Sequence, residues 1–449
     1  MINKIRDEYH KLRNKILKNN FWAKLFDNFI FSLTGEGGAS GINLITLLIM
    51  TASLGTYNYG LFVLAQSYMS VIDALINFQS WQGVIKFGCE AIEEKDEDKL
   101  RAVIKGGFII DSVSAIIGCI IGIIISPIVL KFFNWDSKIL ILMIMFSVSI
   151  MFHISGTPTA VLRLFQKFKI IAIHSIATAI VRLIVLGMYT VLFEVNVYIF
   201  TLLYVSIDII RYIVLVFIAM IEINKSIGIK KIIHVSLKKL NRNYYSYTIW
   251  TNLSATFDMP VKYFDVFFLS MISIEIVAVY KVFKQVLQVF GLLITPISQA
   301  LMPQLGELIA KDERARAYSV VLKIRNTILK VLIPIASIGL LIAPLMFKVF
   351  FEPIYYENYH LFIILVILNI ATLSYIAIHS CFLVMGFAKE NTIITIVGNL
   401  CYIAIAYLLV NFIGLYGIII ATAIQFIIDV SLKSKKIISH IGPKSIVRK

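Results

Sequence analysis

The chain of 449 residues is 59% hydrophobic and 15% charged, with a mean hydropathy of +0.87, far outside the range of soluble domains. Its net charge of +16 would suit a nucleic-acid binder, but the placement of that charge excludes such a partner. A polytopic, all-α membrane protein is expected.

Residues 1–28 are polar and basic, with Lys4, Arg6, Lys11, Arg13, Lys15, Lys18 and Lys24, so no cleavable signal peptide is expected. Ile2, Ile5, Tyr9, Leu12 and Ile16 recur there at helical spacing, which suits an amphipathic segment on the membrane surface as well as a solvated tail. Twelve apolar runs follow, at about 29–53, 60–87, 104–130, 138–161, 170–193, 197–222, 246–271, 275–304, 327–351, 360–385, 391–412 and 415–432. The basic segment 223–245, with Lys225, Lys230, Lys231, Lys238, Lys239 and Arg242, divides them six and six. The expected organisation is an N-lobe at 29–222, a cytoplasmic linker at 223–245, a C-lobe at 246–432 and a basic tail at 433–449.

Lys and Arg outside the spans crowd alternate connections, and the other connections carry only Lys131 and Lys138. By the positive-inside rule both termini are cytoplasmic. Every outer connection is then short, which leaves no room for an outer catalytic domain and argues against a membrane glycosyltransferase or polysaccharide polymerase. The halves also repeat weakly at an offset of about 221: Tyr59 matches Tyr280, and Ile207-Asp208 matches Ile428-Asp429. Lys95-Asp96-Glu97 likewise matches Lys311-Asp312-Glu313 across a gap. Duplicated six-helix lobes around a central cavity would give this pattern.

Five bases, Arg182, Arg211, Lys262, Lys281 and Lys284, lie deep in these apolar runs. Each costs about 2.5 to 3.5 kcal/mol on insertion, so such residues normally face a cavity or a partner. Asp258, Lys262 and Asp265 share one helical face, where Lys262 can reach both carboxylates, and Asp208 and Arg211 stand at i, i+3. Arg182, Lys281 and Lys284 have no acid within helical reach and are expected to contact an anionic substrate. Arg211, Lys262, Asn43 and Asn77 are further candidates for substrate binding, and Glu36, Asp73 and Asp265 candidate ion carriers. Cys89, Cys119, Cys381 and Cys401 lack metal or redox spacing, and neither a catalytic set nor a nucleotide loop is present, so no enzyme, metal site or cofactor is expected beyond a coupling H+ or Na+.

The stretch Leu54-Gly55-Thr56-Tyr57-Asn58-Tyr59-Gly60-Leu61-Phe62 resembles a turn of the polysaccharide-exporter flippases in the multidrug/oligosaccharidyl-lipid/polysaccharide (MOP) superfamily. Leu162-Arg163 and Phe168 resemble that family's cytoplasmic turn, and the run from Asp265 to Asp312, with Tyr280, Pro296 and Pro303, its seventh and eighth spans. The resemblance implies a twelve-helix, two-lobe, antiporter-like fold, similar to that of drug exporters in the same superfamily, located in the bacterial inner membrane. It implies a Wzx-type flippase that moves an undecaprenyl-pyrophosphate-linked oligosaccharide of O-antigen, capsule or exopolysaccharide outward by alternating access. The implied partners are that lipid-linked glycan, membrane lipids and polysaccharide polymerase machinery. A drug or metabolite exporter is the competing expectation.

Overall fold

The computed structural model describes residues 20–78, 80–240, 242–257 and 259–441. The expected amphipathic segment up to residue 19, the tail beyond residue 441 and Asp258 lie outside the described residues. Among the described residues all regular structure is helical. The first half comprises α1 (Asn20–Ile76), α2 (Trp81–Glu93), α3 (Glu97–Phe132), α4 (Lys138–Ile150), α5 (Gly156–Leu164), α6 (Phe168–Leu192) and α7 (Val197–Ser226). After α8 (Ile229–His234) come α9 (Arg242–Phe257), α10 (Met259–Ser270), α11 (Ile274–Ala310), α12 (Arg314–Phe350) and α13 (Pro353–Glu357). The chain ends in α14 (Tyr359–Ser374), α15 (Ile376–Val384), α16 (Ala388–Ile413) and α17 (Leu415–Ile441).

Eight helical stretches among the described residues are long and apolar enough to cross a membrane. The runs at 29–53 and 60–87 share α1, which is broken at Gly55, where φ is 72° and ψ is 162°, a conformation open to glycine. The second of these runs continues from α1 into α2, which begins at Trp81, and the run at 138–161 is divided between α4 and α5. Interrupted spans survive in a membrane only if the freed backbone groups find partners inside the protein. Asp111 of α3 supplies them: its Oδ1 accepts from the Ser80 amide at 2.8 Å and its Oδ2 from the Thr157 amide at 2.7 Å. The Ser80 and Thr157 hydroxyls meet at 2.8 Å, and Ser114 Oγ accepts from the Phe78 amide at 3.0 Å.

The basic linker is docked rather than loose. Arg101 Nε donates to the Ile227 carbonyl at 3.0 Å, Lys105 Nζ to the Ile233 and Val235 carbonyls at 2.6 and 2.9 Å, and Lys239 Nζ to Asp98 at 2.9 Å. Turns recur between the halves. At Lys95 and Asp312 (φ 56° and 59°), and at Gln166 and Gly386 (φ 58° and 90°), a left-handed residue closes a helix with the paired backbone bonds of a Schellman cap. The structural match sets Lys95 against Asp312, one residue away from the sequence match of Lys95 to Lys311. Backbone closure, not the solvated charge, defines the equivalence.

The buried apolar residues sort by depth. One large core joins the two halves, with Phe62 packed on Phe146, Phe200 and Tyr204 in the first, and Phe283 on Phe347 and Phe362 in the second. Trp135 stacks on Phe133 and touches Phe267 across the halves. Toward the other end the cores are separate: one around Val84, Val103, Ala219 and Tyr244, another around Leu305, Val321, Phe382 and Ile437. The molecule is therefore packed shut at the end bearing residues 54–59 and 352–359, whereas at the opposite end the apolar core is split in two, with Tyr244 and Tyr247 of α9 packed on Phe87 of α2.

Candidate functional site: a charged cavity between the halves

A cavity of about 470 Å³ lies below the shared core, between α1, α7 and α10, with Asp73, Asn77, His153, Arg211, Tyr212 and Lys262 on its walls. Two smaller cavities share lining residues with it, and a third adjoins those two. One of about 300 Å³ is lined by Glu36, Ser40, Thr178 and Arg211, and one of about 210 Å³, closer to the shared core, by Asn43, Gln66, Lys281, Gln285 and Gln288. The third, of about 340 Å³, runs along Ser40, Asn43 and Gln285. Arg182 borders the first, second and innermost of these spaces.

The bases divide into two groups. Arg182, without an acid on its own helix, is paired to Asp208 of α7, and its guanidinium lies 4.4 Å from the Tyr204 ring centroid. Lys284, likewise without a local acid, has Nζ 2.5 Å from Asp265 Oδ2, which also accepts from the Tyr280 hydroxyl at 2.9 Å. These pairs correct two expectations. Asp208 serves Arg182 rather than Arg211, and Asp265 serves Lys284 rather than Lys262. The reason is geometric: the acids come from neighbouring helices, 26 and 19 residues away, beyond the reach of helical spacing. Arg211, Lys262 and Lys281 form no ion pair among the described residues. Arg211 lies 4.5 Å from the Tyr212 ring centroid, Lys262 is exposed to the cavity, and Lys281 faces the amide-rich inner space.

Asn77 is committed to structure. Its Nδ2 donates to Asp73 at 2.9 Å and to the His153 carbonyl at 3.0 Å, while its Oδ1 accepts from Ser114 at 3.1 Å. Asn43 is half-buried beside the innermost space, and its Oδ1 has no partner among the described residues, nor has Arg182 Nε. Of the acids, Glu36 is exposed at the cavity mouth and Asp265 is buried away from the cavities. Asp73 stands in the cavity wall with His153 Nδ1 2.9 Å from its Oδ2, near enough for an ion pair but not aligned as a hydrogen bond. Among the described residues no His, Cys, Asp and Glu cluster could hold a metal ion.

Sequence reasoning passed over His153, Tyr204, Tyr212 and Trp81. His153 sits in the break between α4 and α5, 4.4 Å from the Tyr212 ring. The signal was present as the polar, glycine- and proline-containing stretch 153–158 inside an apolar run, the mark of an interrupted span at a binding site.

Solved structures share this helical, multi-pass architecture with a polar cavity between two halves. The chain matches an inward-facing MATE family multidrug resistance transporter of the MOP superfamily at 13% identity and TM-score 0.66, covering 92% of this chain and 95% of that one. It matches a MOP superfamily transporter from Pyrococcus furiosus at 13% identity and TM-score 0.60, covering 95% and 98%. These likenesses establish a MOP-type fold. Residues 25–309 match the model of the polysaccharide biosynthesis protein family, and the chain belongs to that family. It is a multi-pass helical membrane protein of this family with a MOP-type fold. A 167-residue stretch is 26% identical to the inner membrane protein YghQ of Escherichia coli (strain K12), covering 37% of this chain and 44% of that relative, so less than half its length is spanned.

Proposed function

We propose that the chain flips an undecaprenyl-pyrophosphate-linked oligosaccharide from the cytoplasmic to the outer leaflet of the bacterial inner membrane. The observation that carries this reading is the set of three bases, Arg211, Lys262 and Lys281, that border connected cavities without acid partners among the described residues. A pyrophosphate leaving the interface loses hydration, and charge-assisted bonds from Arg and Lys replace part of it. Asn43, Gln66, Gln285 and Gln288 offer the mixed donors and acceptors that sugar hydroxyls need. The same bases disfavour cationic drugs, which weighs against a drug exporter.

With cytoplasmic termini, as the positive-inside rule favours, the divided end faces the cytoplasm and the cavity is open to its substrate there. The lobes at 29–222 and 246–432 would then rock about the site in alternating access, with 223–245 joining them. Asp73 with His153 is the favoured proton site, Glu36 the runner-up for H+ or Na+, and Asp265 is disfavoured because Lys284 and Tyr280 occupy it. Delivery to a polysaccharide polymerase is the natural next step. The test is deletion of the chain in its own host. Lipid-linked repeat units should accumulate on the cytoplasmic leaflet with no change in sensitivity to cationic dyes; dye sensitivity with normal glycan export would overturn the reading in favour of a drug exporter.

A further inference from the structure

The shut end carries a polar contact that the flippase reading does not use. At Gly55 the backbone leaves helical geometry, so the segment of α1 that follows begins with amides that have no helical acceptor. Glu352, at the start of α13 in the other half of the chain, reaches across to them. Its Oε1 accepts from the Thr56 amide at 3.0 Å and its Oε2 from the Thr56 hydroxyl at 2.7 Å. Thr56 is 3% exposed, whereas Glu352 stands at the exposed rim. The carboxylate thus acts as an N-terminal cap supplied from 296 residues away, where negative charge also complements the helix dipole.

The surrounding contacts mark this as a closure between halves. A Cβ on Gly60 would lie 2.3 Å from the Ile274 carbonyl oxygen, so α1 and the start of α11 touch backbone to side-chain position with no room for a larger residue. Trp135 Nε1 donates to Ser270 Oγ at 2.8 Å on the same end. If the halves part here, the contact between Glu352 and Thr56 must break, because both carboxylate oxygens are committed to it.

We propose that Glu352 is a latch: by capping the Thr56 end of α1 from the opposite half, it holds this end shut and sets how often the cavity opens toward it. The latch is independent of which substrate fills the cavity. Removing it should shift the opening equilibrium by about threefold to tenfold, the range of an ordinary net hydrogen bond and below that of a buried bond to a charged group, because the carboxylate is at an exposed rim.

The experiment uses the full-length protein in native membrane vesicles of both orientations, with Cys89, Cys119, Cys381 and Cys401 replaced and Met50→Cys as reporter. Met50 is 6% exposed and lines the innermost cavity. Labelling by an impermeant maleimide is followed from the side that carries the 352–359 turn. Glu352→Gln, which keeps the shape and removes the charge, should raise the labelling rate about threefold to tenfold; Thr56→Val, which removes only the hydroxyl bond, should raise it less. Glu357→Gln in the same turn should leave it unchanged. An unchanged rate in both Glu352→Gln and Thr56→Val overturns the latch, as does an equal rise with Glu357→Gln, or a lowered melting temperature without faster labelling. No substrate enters this assay, so its failure leaves the flippase reading standing, and failure of that reading leaves the latch standing.

Discussion

Lys284→Met provides a severe test of the division between paired and unpaired bases. Lys284 Nζ lies 2.5 Å from Asp265 Oδ2, and the Asp265 side chain is only 2% exposed. Removing one member of a buried pair costs about 3 to 5 kcal/mol, because the survivor is left charged and desolvated. Two features reduce that here: the Lys284 side chain is 31% exposed, and the Tyr280 hydroxyl still donates to the carboxylate at 2.9 Å. A loss of about 2 to 3 kcal/mol is therefore expected. Asp265→Asn in the same chain should recover most of it, since the amide carries no stranded charge. The assay is a double-mutant cycle of thermal unfolding in detergent with transport measured alongside. If Lys284→Met is as stable as the parent and Asp265→Asn rescues nothing, the pair is not structural and Lys284 returns to the list of substrate contacts.

Arg211→Ala, Lys262→Ala and Lys281→Met should each reduce glycan export at least tenfold while melting within about 0.5 kcal/mol of the parent, as expected where no partner among the described residues is stranded; loss of protein from the membrane would show them to be structural. Asp111→Asn keeps one carbonyl oxygen, so one of the Ser80 and Thr157 amides loses its acceptor. Thermal unfolding should show a loss of about 1 to 3 kcal/mol, with transport per folded molecule little changed. Asp73→Asn should abolish the response of transport to an imposed pH gradient while substrate still binds, and vesicles with an intact response would remove the Asp73 and His153 site. Glu357→Cys should react with an impermeant thiol reagent from outside the cell and Lys239→Cys should not; the reverse would invert the orientation.

Composition and hydropathy make the membrane class legible because a bilayer leaves the backbone few options. The short turns at 54–59 and 352–359 are also visible, since Gly55 and the run Glu352-Pro353 break apolar runs. Side-chain partners are not visible. Helical spacing reports only neighbours on one helix, so it finds Lys262 beside Asp265 but not Lys284 across from it. The breaks between α1 and α2 and between α4 and α5 are written only as short polar stretches, around Asn77 and Ser80 and at 153–158, inside long apolar runs, and what permits them, the Asp111 carboxylate on a third helix, is not visible. The same blindness hides His153, whose significance depends on Asp73 standing opposite.

The unequal division of the apolar core has an energetic consequence. Substitutions in residues that share a packed cluster perturb one another, whereas those in separate clusters add. Ala219→Gly and Phe382→Leu, in the two divided cores, should act as independent events, each felt by its own half. Phe62→Leu and Phe283→Leu, both in the joined core, should show coupling through the packing between them. The chain would then behave as two folding units fastened at one end, and the strength of the fastening becomes a measurable interaction energy instead of a description of shape.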